Sequence, residues 1–352
     1  MNITMSAKTL ILMLFVCASI SHLARAEPSP GDVKFAVTDR YKVGGEGGWD
    51  LITLDAKRHR LFISRSTHVQ VVDTDSGKVV GDIPGTDGVH AIALAEDLDV
   101  GFTSNGKSNS VTVFDLTSLK VLDTIHVSGM NPDVILYEPK SKQVFTFNGR
   151  SKDATVIDAI SHQEVTTIRL SGKPELAVSN DAGNVFVNIE DSSEIAVIDS
   201  SSNKIVKVFP LGDGVEPTGL SIDKAHSRLF SVCANNKMEI LDAVTGRIVA
   251  EAPIGFAPDS AAFDAGLGIA FSSNRDGSLT LVSEKDPEHF LVLQNVVTQK
   301  GARTMAYDAE SHRAYLVTAL LGETPLATKE QPDPKPVVLP DSFVVLVVSL
   351  TH

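Results

Sequence analysis

Residues that could do acid–base or metal chemistry recur once in each segment of about 40 to 45 residues along this chain. The recurring set comprises Asp50, His90, Asp133, Glu175, Thr218, Asp259 and Arg303. We call these seven the ring residues. Two carboxylates about 6 Å apart repel each other by about 3 kcal/mol at an effective dielectric constant of ~20. If the fold gathers these side chains, the carboxylates must hold protons, pair with His90 or Arg303, or bind a cation.

The carboxylates of the ring residues suit a hard divalent cation. Oxygen-rich ligation favours Ca²⁺ or Mg²⁺, and we expect Asp133, Glu175 and Asp259 to be the metal ligands. The imidazole of His90 leaves a transition metal open as well. If the site is catalytic, His90 would act as general base and Arg303 would stabilise the developing anion.

A second tier of polar residues follows the second predicted strand of most repeats, and asparagine recurs in it. The candidate ligand-binding residues of this tier are Arg65, His68, Asn105, Asn148, Arg150, Asn188, Glu190, Asn235, Asn274 and Arg275. For the asparagines, the alternative is a left-handed turn conformation that caps the hairpin.

Two further features point to ligand recognition at the same end of the repeats. Four arginines, Arg65, Arg150, Arg275 and Arg303, would together suit a ligand that carries a carboxylate or a phosphate. Trp49, the only tryptophan, precedes Asp50 and either fills the core or forms a stacking wall for a ligand.

These residues are positioned by a four-stranded repeat, most clearly seen in residues 88–127, where short apolar runs alternate with polar and glycine-containing turns. One marker is an acid after the third strand, found at Asp73, Asp115, Asp158, Asp199 and Asp242. The other is an aromatic residue in the second strand, found at Phe62, Phe102, Phe145, Phe186, Phe230, Phe271 and Tyr315. Both series repeat every 40 to 44 residues. Seven aromatic markers predict an all-β, seven-bladed β-propeller with four-stranded antiparallel blades.

The two ends of the repeat array predict how the ring closes. The seventh repeat supplies only three strands, and residues 33–43 have the pattern of one strand without a blade of its own. We therefore expect the N-terminal strand to complete the last blade, which removes an exposed sheet edge. The segment 322–340 of that blade is a proline-rich insertion, either a lid or a disordered flap, on the face where ligands enter.

Residues 1–26 have the pattern of a secretory signal peptide: Lys8, an apolar run of about a dozen residues, and Ala24-Arg25-Ala26. The run is short of the ~20 residues that span a membrane. We expect cleavage after Ala26, a periplasmic or secreted protein, and a propeller domain over residues 27–352. Loss of Lys8 and Arg25 would change the formal net charge from −13 to −15. Such a charge argues against nucleic-acid binding.

The mature chain would keep one cysteine, Cys233, which we interpret as a buried apolar thiol because no base is adjacent to it in sequence. Common enzyme motifs are missing from the sequence: it has no H-E-x-x-H, C-x-x-C, G-x-S-x-G or Walker loop. The motifs therefore leave open whether the protein is an enzyme.

The repeat resembles the YVTN-repeat β-propellers, in particular the exported YncE-like group. The resemblance is carried by Pro132-Asp133, Val185-Phe186-Val187-Asn188 and Val111-Thr112-Val113-Phe114-Asp115. It implies the propeller fold. The activity of this family is largely unassigned, and binding roles are suggested for it.

Together these observations predict a monomeric, exported binding protein that holds a small ligand, a peptide or a metal at the mouth of the central channel. The alternative is a metal-assisted lactonase or lyase, because other propeller enzymes place carboxylates and histidine at this mouth.

Overall fold

The computed structural model describes residues 33–329, 332, 334 and 336–351. The predicted signal peptide, residues 1–26, lies outside the described residues. The described chain forms 28 strands and one 3₁₀ turn, Glu190–Ser192. The first fourteen strands are β1 (Lys34–Lys42), β2 (Ile52–Asp55), β3 (Arg60–Ser64), β4 (Val69–Asp73), β5 (Val79–Ile83), β6 (Val89–Ala95), β7 (Val100–Asn105), β8 (Ser110–Asp115), β9 (Val121–His126), β10 (Pro132–Glu138), β11 (Gln143–Asn148), β12 (Asp153–Asp158), β13 (Gln163–Arg169) and β14 (Pro174–Ser179). The second fourteen are β15 (Asn184–Ile189), β16 (Glu194–Asp199), β17 (Lys204–Pro210), β18 (Pro217–Asp223), β19 (Arg228–Cys233), β20 (Lys237–Asp242), β21 (Ile248–Pro253), β22 (Pro258–Asp264), β23 (Ile269–Asn274), β24 (Ser278–Asp286), β25 (His289–Val297), β26 (Thr304–Asp308), β27 (Arg313–Thr318) and β28 (Val344–Thr351).

The strands form seven four-stranded antiparallel sheets, which confirms the predicted seven-bladed propeller. Blades 1 to 6 are runs of four consecutive strands that begin with β2, β6, β10, β14, β18 and β22. Blade 7 has the order β1-β28-β27-β26. Strand β1 pairs with β28 from Lys34 opposite Thr351 to Lys42 opposite Val344, which confirms the predicted closure by the N-terminal strand. The two ends of the chain therefore share one sheet.

The core lies between the faces of neighbouring blades. Second and third strands are buried along almost their whole length, whereas fourth strands are largely exposed. The aromatic markers of the second strands are buried and pack across blade interfaces, as in the pair Phe62 and Phe114, with ring centroids 5.6 Å apart. Burial of one such side chain contributes about 1.5–3 kcal/mol. The repeat is stable because each blade covers the apolar face of the next.

The first strands surround the central axis, and each contacts the first strands of both neighbouring blades. In blades 2 to 6 the pairing of the first strand with the second is interrupted close to its start. The residues skipped there include His90, Asp133, Glu175, Thr218 and Asp259. A bulge leaves a residue out of the hydrogen-bond ladder and re-aims its side chain. The bulges therefore explain why polar ring residues can turn away from their blades toward the channel.

The insertion of blade 7 lies between β27 and β28, as predicted. Its base is held by an isolated bridge between Leu321 and Val338 and by a hydrogen bond of 2.7 Å from the N–H of Gly322 to the carbonyl of Val337. Among the described residues, no helix is both long and apolar enough to cross a membrane.

Candidate binding site at the channel mouth

The structure brings all seven ring residues to one mouth of the channel. Six of them line a cavity of about 240 Å³: Asp50, Asp133, Glu175, Thr218, Asp259 and Arg303. The seventh, His90, contacts two of these residues. Lys173 and Glu190 complete the charged lining. The described residues of the blade 7 insertion do not line this cavity.

An imidazole between two carboxylates forms one side of the mouth. His90 Nδ1 lies 2.7 Å from Asp50 Oδ2 and 3.7 Å from Asp133 Oδ1. The side chains of His90, Asp50 and Asp133 are 30%, 30% and 22% exposed, so the group is open to solvent. One ligand atom from each residue lies within 4.8 Å of the other two, as a single metal ion would require. We call this group the mouth triad.

The pKa values of the mouth triad reflect burial and charge. Burial acts against the charged imidazolium, but the hydrogen bond to Asp50 and the charges of Asp133 and Asp50 outweigh it, so the pKa of His90 is raised. Burial raises the pKa of Asp133, even though the positive charge of His90 opposes the rise. Both shifts favour the protonated forms, and a cation bound between the three side chains would remove that preference.

A lysine bridges two glutamates on the next side of the mouth. Lys173 Nζ lies 2.5 Å from both Glu175 Oε1 and Glu190 Oε2. Burial acts against the ammonium, but its hydrogen bonds to the two carboxylates dominate and raise the pKa of Lys173. Burial also raises the pKa of Glu175 to about 8, although Lys173 opposes this. Glu175 is therefore held by an ammonium group and is not free to bind a cation.

The third charged group of the mouth is an arginine–aspartate pair. Arg303 Nη1 donates to Asp259 Oδ1 at 2.8 Å. Burial nevertheless raises the pKa of Asp259 to about 6, since the positive charge of Arg303 offsets only part of the desolvation. Arg275 is exposed near this pair, and its guanidinium forms no hydrogen bond or ion pair with the described residues. Burial and the charge of Arg303 lower the pKa of Arg275.

Neighbouring blades fix the backbone at the ring positions. The N–H of Leu51 donates to the carbonyl of His90 at 3.0 Å. Ser104 Oγ donates to the carbonyl of Asp133, and Asn188 Nδ2 donates to that of Thr218 at 3.0 Å. In the same way, Ser273 Oγ donates to the carbonyl of Arg303. The mouth is therefore held by contacts that cross each blade interface.

The asparagines of the second tier have internal partners. Asn105, Asn148 and Asn274 end second strands, are buried, and hydrogen-bond to the facing third strand, as in the 2.9 Å bond from Asn105 Nδ2 to Thr112 Oγ1. Asn188 is also buried, whereas Asn235 is exposed and donates to the carbonyl of Asp213 at 2.7 Å. None of the five has a positive φ, so the left-handed interpretation was wrong. In Asn105, Asn148 and Asn274 the side chain, rather than a left-handed backbone, closes the hairpin.

The four predicted rim arginines do not gather at one place. Arg65 is 1% exposed, and its guanidinium donates to the carbonyls of Gly44, Gly45 and Gly47 and to Gln70 Oε1 at 2.8 to 3.1 Å. It also lies 4.0 Å from the ring centroid of Phe343. These contacts hold in place the glycine-rich segment 44–48, which precedes Trp49. Arg150 is exposed and makes no side-chain hydrogen bond with the described residues, which leaves only Arg275 and Arg303 close to each other.

Three other residues from the sequence analysis, Trp49, His68 and Cys233, have contacts outside the cavity lining. Trp49 packs against Phe343 with centroids 5.1 Å apart and joins the core between blades 7 and 1. His68 Nε2 lies 3.5 Å from Asp82 Oδ2, outside the mouth triad. Cys233 is buried, and burial together with the charge of Glu239 raises the pKa of its thiol to about 12, as expected of an inert thiol.

The predicted metal set of Asp133, Glu175 and Asp259 does not converge among the described residues. Glu175 is bound by Lys173, and Asp259 is bound by Arg303. The set that does converge is the mouth triad. The sequence analysis also missed Lys173 as a site residue; its position two residues before Glu175 was the available signal. It missed Gly106, where a Cβ would lie 2.8 Å from His90 Nε2.

Comparison with solved structures supports the fold. The RRP9 WD40 repeats align with a TM-score of 0.73 at 9% identity, over 91% of this chain and 100% of theirs. U3-55K aligns with a TM-score of 0.71 at 10% identity, over 91% of this chain and 99% of its own. The hydrazine synthase of Kuenenia stuttgartiensis aligns with a TM-score of 0.49 at 18% identity, over 68% of this chain and 97% of its own. The first two likenesses show the propeller architecture alone.

Sequence comparison gives the family. No curated protein matches the chain in sequence. Residues 19–220 match the family described as the cytochrome D1 heme domain, and this span is more than half of the 352 residues. The chain therefore belongs to the cytochrome D1 heme domain family.

Proposed function

We propose that this protein is a binding protein whose channel mouth holds a divalent cation on Asp50, His90 and Asp133. The observation that carries the proposal is the convergence of two carboxylate oxygens on His90 Nδ1, at 2.7 and 3.7 Å, with the three side chains open to solvent. The imidazole nitrogen favours Zn²⁺ or Mn²⁺ over Ca²⁺ and Mg²⁺, because the latter two take oxygen ligands.

The charge of the whole mouth also favours a cation. Five carboxylates line the cavity, from Asp50, Asp133, Glu175, Glu190 and Asp259, against the two cationic side chains of Lys173 and Arg303. With all five carboxylates ionised, the lining is net negative even when His90 is protonated. A divalent ion would take the place of the protons that the raised pKa values of His90 and Asp133 favour.

A small molecule with a carboxylate group fits as the second part of the ligand. Arg275 presents a guanidinium beside the Arg303–Asp259 pair, and it is exposed and has no ion-pair partner among the described residues. A guanidinium binds a carboxylate through paired hydrogen bonds. A carboxylate ligand could therefore contact Arg275 while it coordinates the cation.

The family name raises haem as a cofactor, and the residues of the mouth do not fit it. A haem requires apolar contacts to the faces of its macrocycle and an axial ligand. The cavity of about 240 Å³ is smaller than the usual ligand pocket of roughly 300–1,000 Å³. Its rim consists mainly of charged groups, and Nδ1 of its histidine lies between two carboxylates. We therefore derive no chemistry from haem.

A metal-assisted lactonase or lyase is the second candidate, and one observation favours it. His90 is oriented by Asp50 through Nδ1, and its Nε2 makes no hydrogen bond with the described residues. A histidine held in this way can act as a general base. Turnover of a panel of lactones that a chelator abolishes and one divalent ion restores would establish this candidate, provided that the His90→Gln variant has no turnover. Equal turnover with and without chelator would exclude it.

Metal titration of the stripped protein tests the binding function. Isothermal calorimetry with Zn²⁺, Mn²⁺, Ca²⁺ and Mg²⁺ should show a site that Asp50→Asn and Asp133→Asn each weaken at least tenfold. The matched control is Asp123→Asn, which alters another histidine–aspartate pair, with His162 Nδ1 3.1 Å from Asp123 Oδ2. Unchanged affinity in both mouth variants would refute the proposal.

We also propose that residues 1–26 direct export and are removed, so that the protein works in the periplasm or outside the cell. The mature N-terminus should be Glu27. Mass spectrometry of the protein from expressing cells would check this, and an intact Met1 on the exported protein would contradict it. Membership of the YncE-like group, a monomeric state and the absence of nucleic-acid binding stay predictions.

A further inference from the structure

A second group of metal-ligating side chains lies between two blades, at the opposite end of a first strand from the mouth. It consists of Asp223, His226 and Glu284, and one ligand atom from each lies within 4.8 Å of the other two. Asp223 ends strand β18, and Thr218 is the second residue of the same strand, so the two sites are separated by about 17 Å at ~3.4 Å per residue. We call this group the blade 5–6 cluster.

The propeller repeat shows what is unusual here. In each blade the first residue of the second strand pairs with a residue near the end of the third strand. The residue that follows this partner in sequence occupies an equivalent position in every blade. These residues are Thr74, Leu116, Ala159, Ser200, Ala243, Glu284 and Leu350. In blade 4 this residue, Ser200, donates a 2.9 Å hydrogen bond to Glu138 of blade 3. Blade 6 alone has a carboxylate at this position, and the carboxylate faces the acid of the preceding blade.

Glu284 is buried without a hydrogen-bond partner. Its side chain is 2% exposed, and neither carboxylate oxygen has such a partner among the described residues. Oε1 lies 3.4 Å from His226 Nδ1, and that nitrogen lies 2.6 Å from Asp223 Oδ2. Two carboxylates and one imidazole therefore converge, with the imidazole on the solvent side.

The nearby arginine does not neutralise Glu284. Arg228 directs Nη1 to Asp242 at 2.9 Å, Nη2 to Glu288 at 3.2 Å, and Nε to the carbonyl of Pro287 at 2.8 Å. A facing pair of buried carboxylates requires a shared proton or a cation, and the histidine beside the pair supplies a third ligand.

We propose that Asp223, His226 and Glu284 bind a divalent transition-metal ion, such as Zn²⁺, that joins blade 5 to blade 6. Two oxygen ligands and one imidazole nitrogen leave a coordination position for water on the exposed side of His226. The site is structural: blade 5 supplies Asp223 and His226, and blade 6 supplies Glu284.

The experiment uses the mature chain with the mouth triad disabled by Asp50→Asn and Asp133→Asn, so that the two sites are read separately. Co²⁺ is the spectroscopic probe and Zn²⁺ the stabilising ion. We expect one equivalent of Co²⁺ to give a visible absorption band and Zn²⁺ to raise Tm. Glu284→Gln and His226→Gln should each weaken Co²⁺ binding at least tenfold and remove the Zn²⁺-dependent rise.

The matched control is Glu239→Gln, which removes another buried carboxylate with an unpartnered oxygen. This variant should keep both the absorption band and the Zn²⁺-dependent rise in Tm. The proposal is overturned if Co²⁺ gives no band in the mouth-disabled protein, or if Glu284→Gln binds Co²⁺ as the parent does. It is also overturned if Glu284→Gln raises Tm while Zn²⁺ has no effect on the parent, because the carboxylates would then share a proton.

Discussion

Replacing Asp259 by asparagine should change the pH dependence of stability in a defined way. Asp259 is paired with Arg303 at 2.8 Å, and its side chain is 14% exposed. Burial raises its pKa to about 6 from the ordinary value of 3.8. Between these two values the folded protein holds a proton that the unfolded chain has already released. Ionised Asp259 therefore destabilises the fold, and wild-type stability falls as the pH rises through this range.

The size of the effect follows from the shift of about two pH units. One unit corresponds to about 1.36 kcal/mol, so ionisation of Asp259 costs about 3 kcal/mol of folding free energy by pH 7. The asparagine that replaces it does not titrate, and its side-chain carbonyl can still accept the hydrogen bond from Arg303. The stability of the Asp259→Asn variant relative to wild type should therefore increase by about 2.4 kcal/mol between pH 4 and pH 7, because the unfolded chain has already released part of this proton at pH 4.

Urea unfolding of metal-free protein measures this difference, with Trp49 as a single fluorescent reporter packed against Phe343. Asp123→Asn, at a half-exposed position outside the mouth, is the control and should show a much smaller change over the same range. A difference between Asp259→Asn and wild type that is the same at pH 4 and pH 7 would refute the reasoning.

Three further predictions follow from the structure. Cation affinity at the mouth should increase with pH, because the raised pKa of His90 lets a proton compete with the metal to higher pH; calorimetry that gave equal affinities at about pH 6 and pH 8 would contradict this. Gly106→Ala should weaken cation binding severalfold, since its Cβ would lie 2.8 Å from His90 Nε2, whereas Gly149→Ala, whose nearest contact is 3.3 Å, should bind normally in the same titration. Arg65→Met should lower the free energy of unfolding by about 3 kcal/mol in urea, because buried backbone carbonyls lose their donors; a loss below about 1 kcal/mol would be inconsistent with its contacts.

The architecture could be predicted from the sequence because the residues that mark the repeat have structural roles. An aromatic residue in each second strand and an acid after most third strands set the period, and the period determines the blade count. The gathering of the ring residues also followed from the repeat, since equivalent positions of a propeller meet around one axis. The bulges that turn these residues inward were not predicted.

The pairing of charges could not be predicted from the repeat alone. In the sequence Lys173 merely precedes a strand, yet its ammonium lies between Glu175 and Glu190 and removes Glu175 from the expected metal set. Asparagine after an apolar run fits a turn as well as a strand end, so the sequence left open a left-handed backbone at Asn105, which the structure does not show. Such outcomes depend on side-chain packing across blade interfaces, which sequence spacing does not encode.

The blade 5–6 cluster shows a similar limit. The sequence marks Glu284 as a departure from the repeat, but only the structure shows that it faces Asp223 of the preceding blade without a hydrogen-bond partner. Departures from a local rule often mark functional sites. The mouth follows the same principle, since its buried carboxylates reduce stability and lie where a cation could bind them.

The most direct test of the mouth site is anomalous diffraction from crystals of a protein comprising residues 27–352, soaked in Mn²⁺ or Zn²⁺. We predict a peak between Asp50, His90 and Asp133, with ligand atoms about 2.0–2.3 Å from the ion. The peak should be lost in Asp133→Asn. A mouth that shows no peak, with His90 still bonded to Asp50, would mean that these residues form an internal ion pair and would contradict the account.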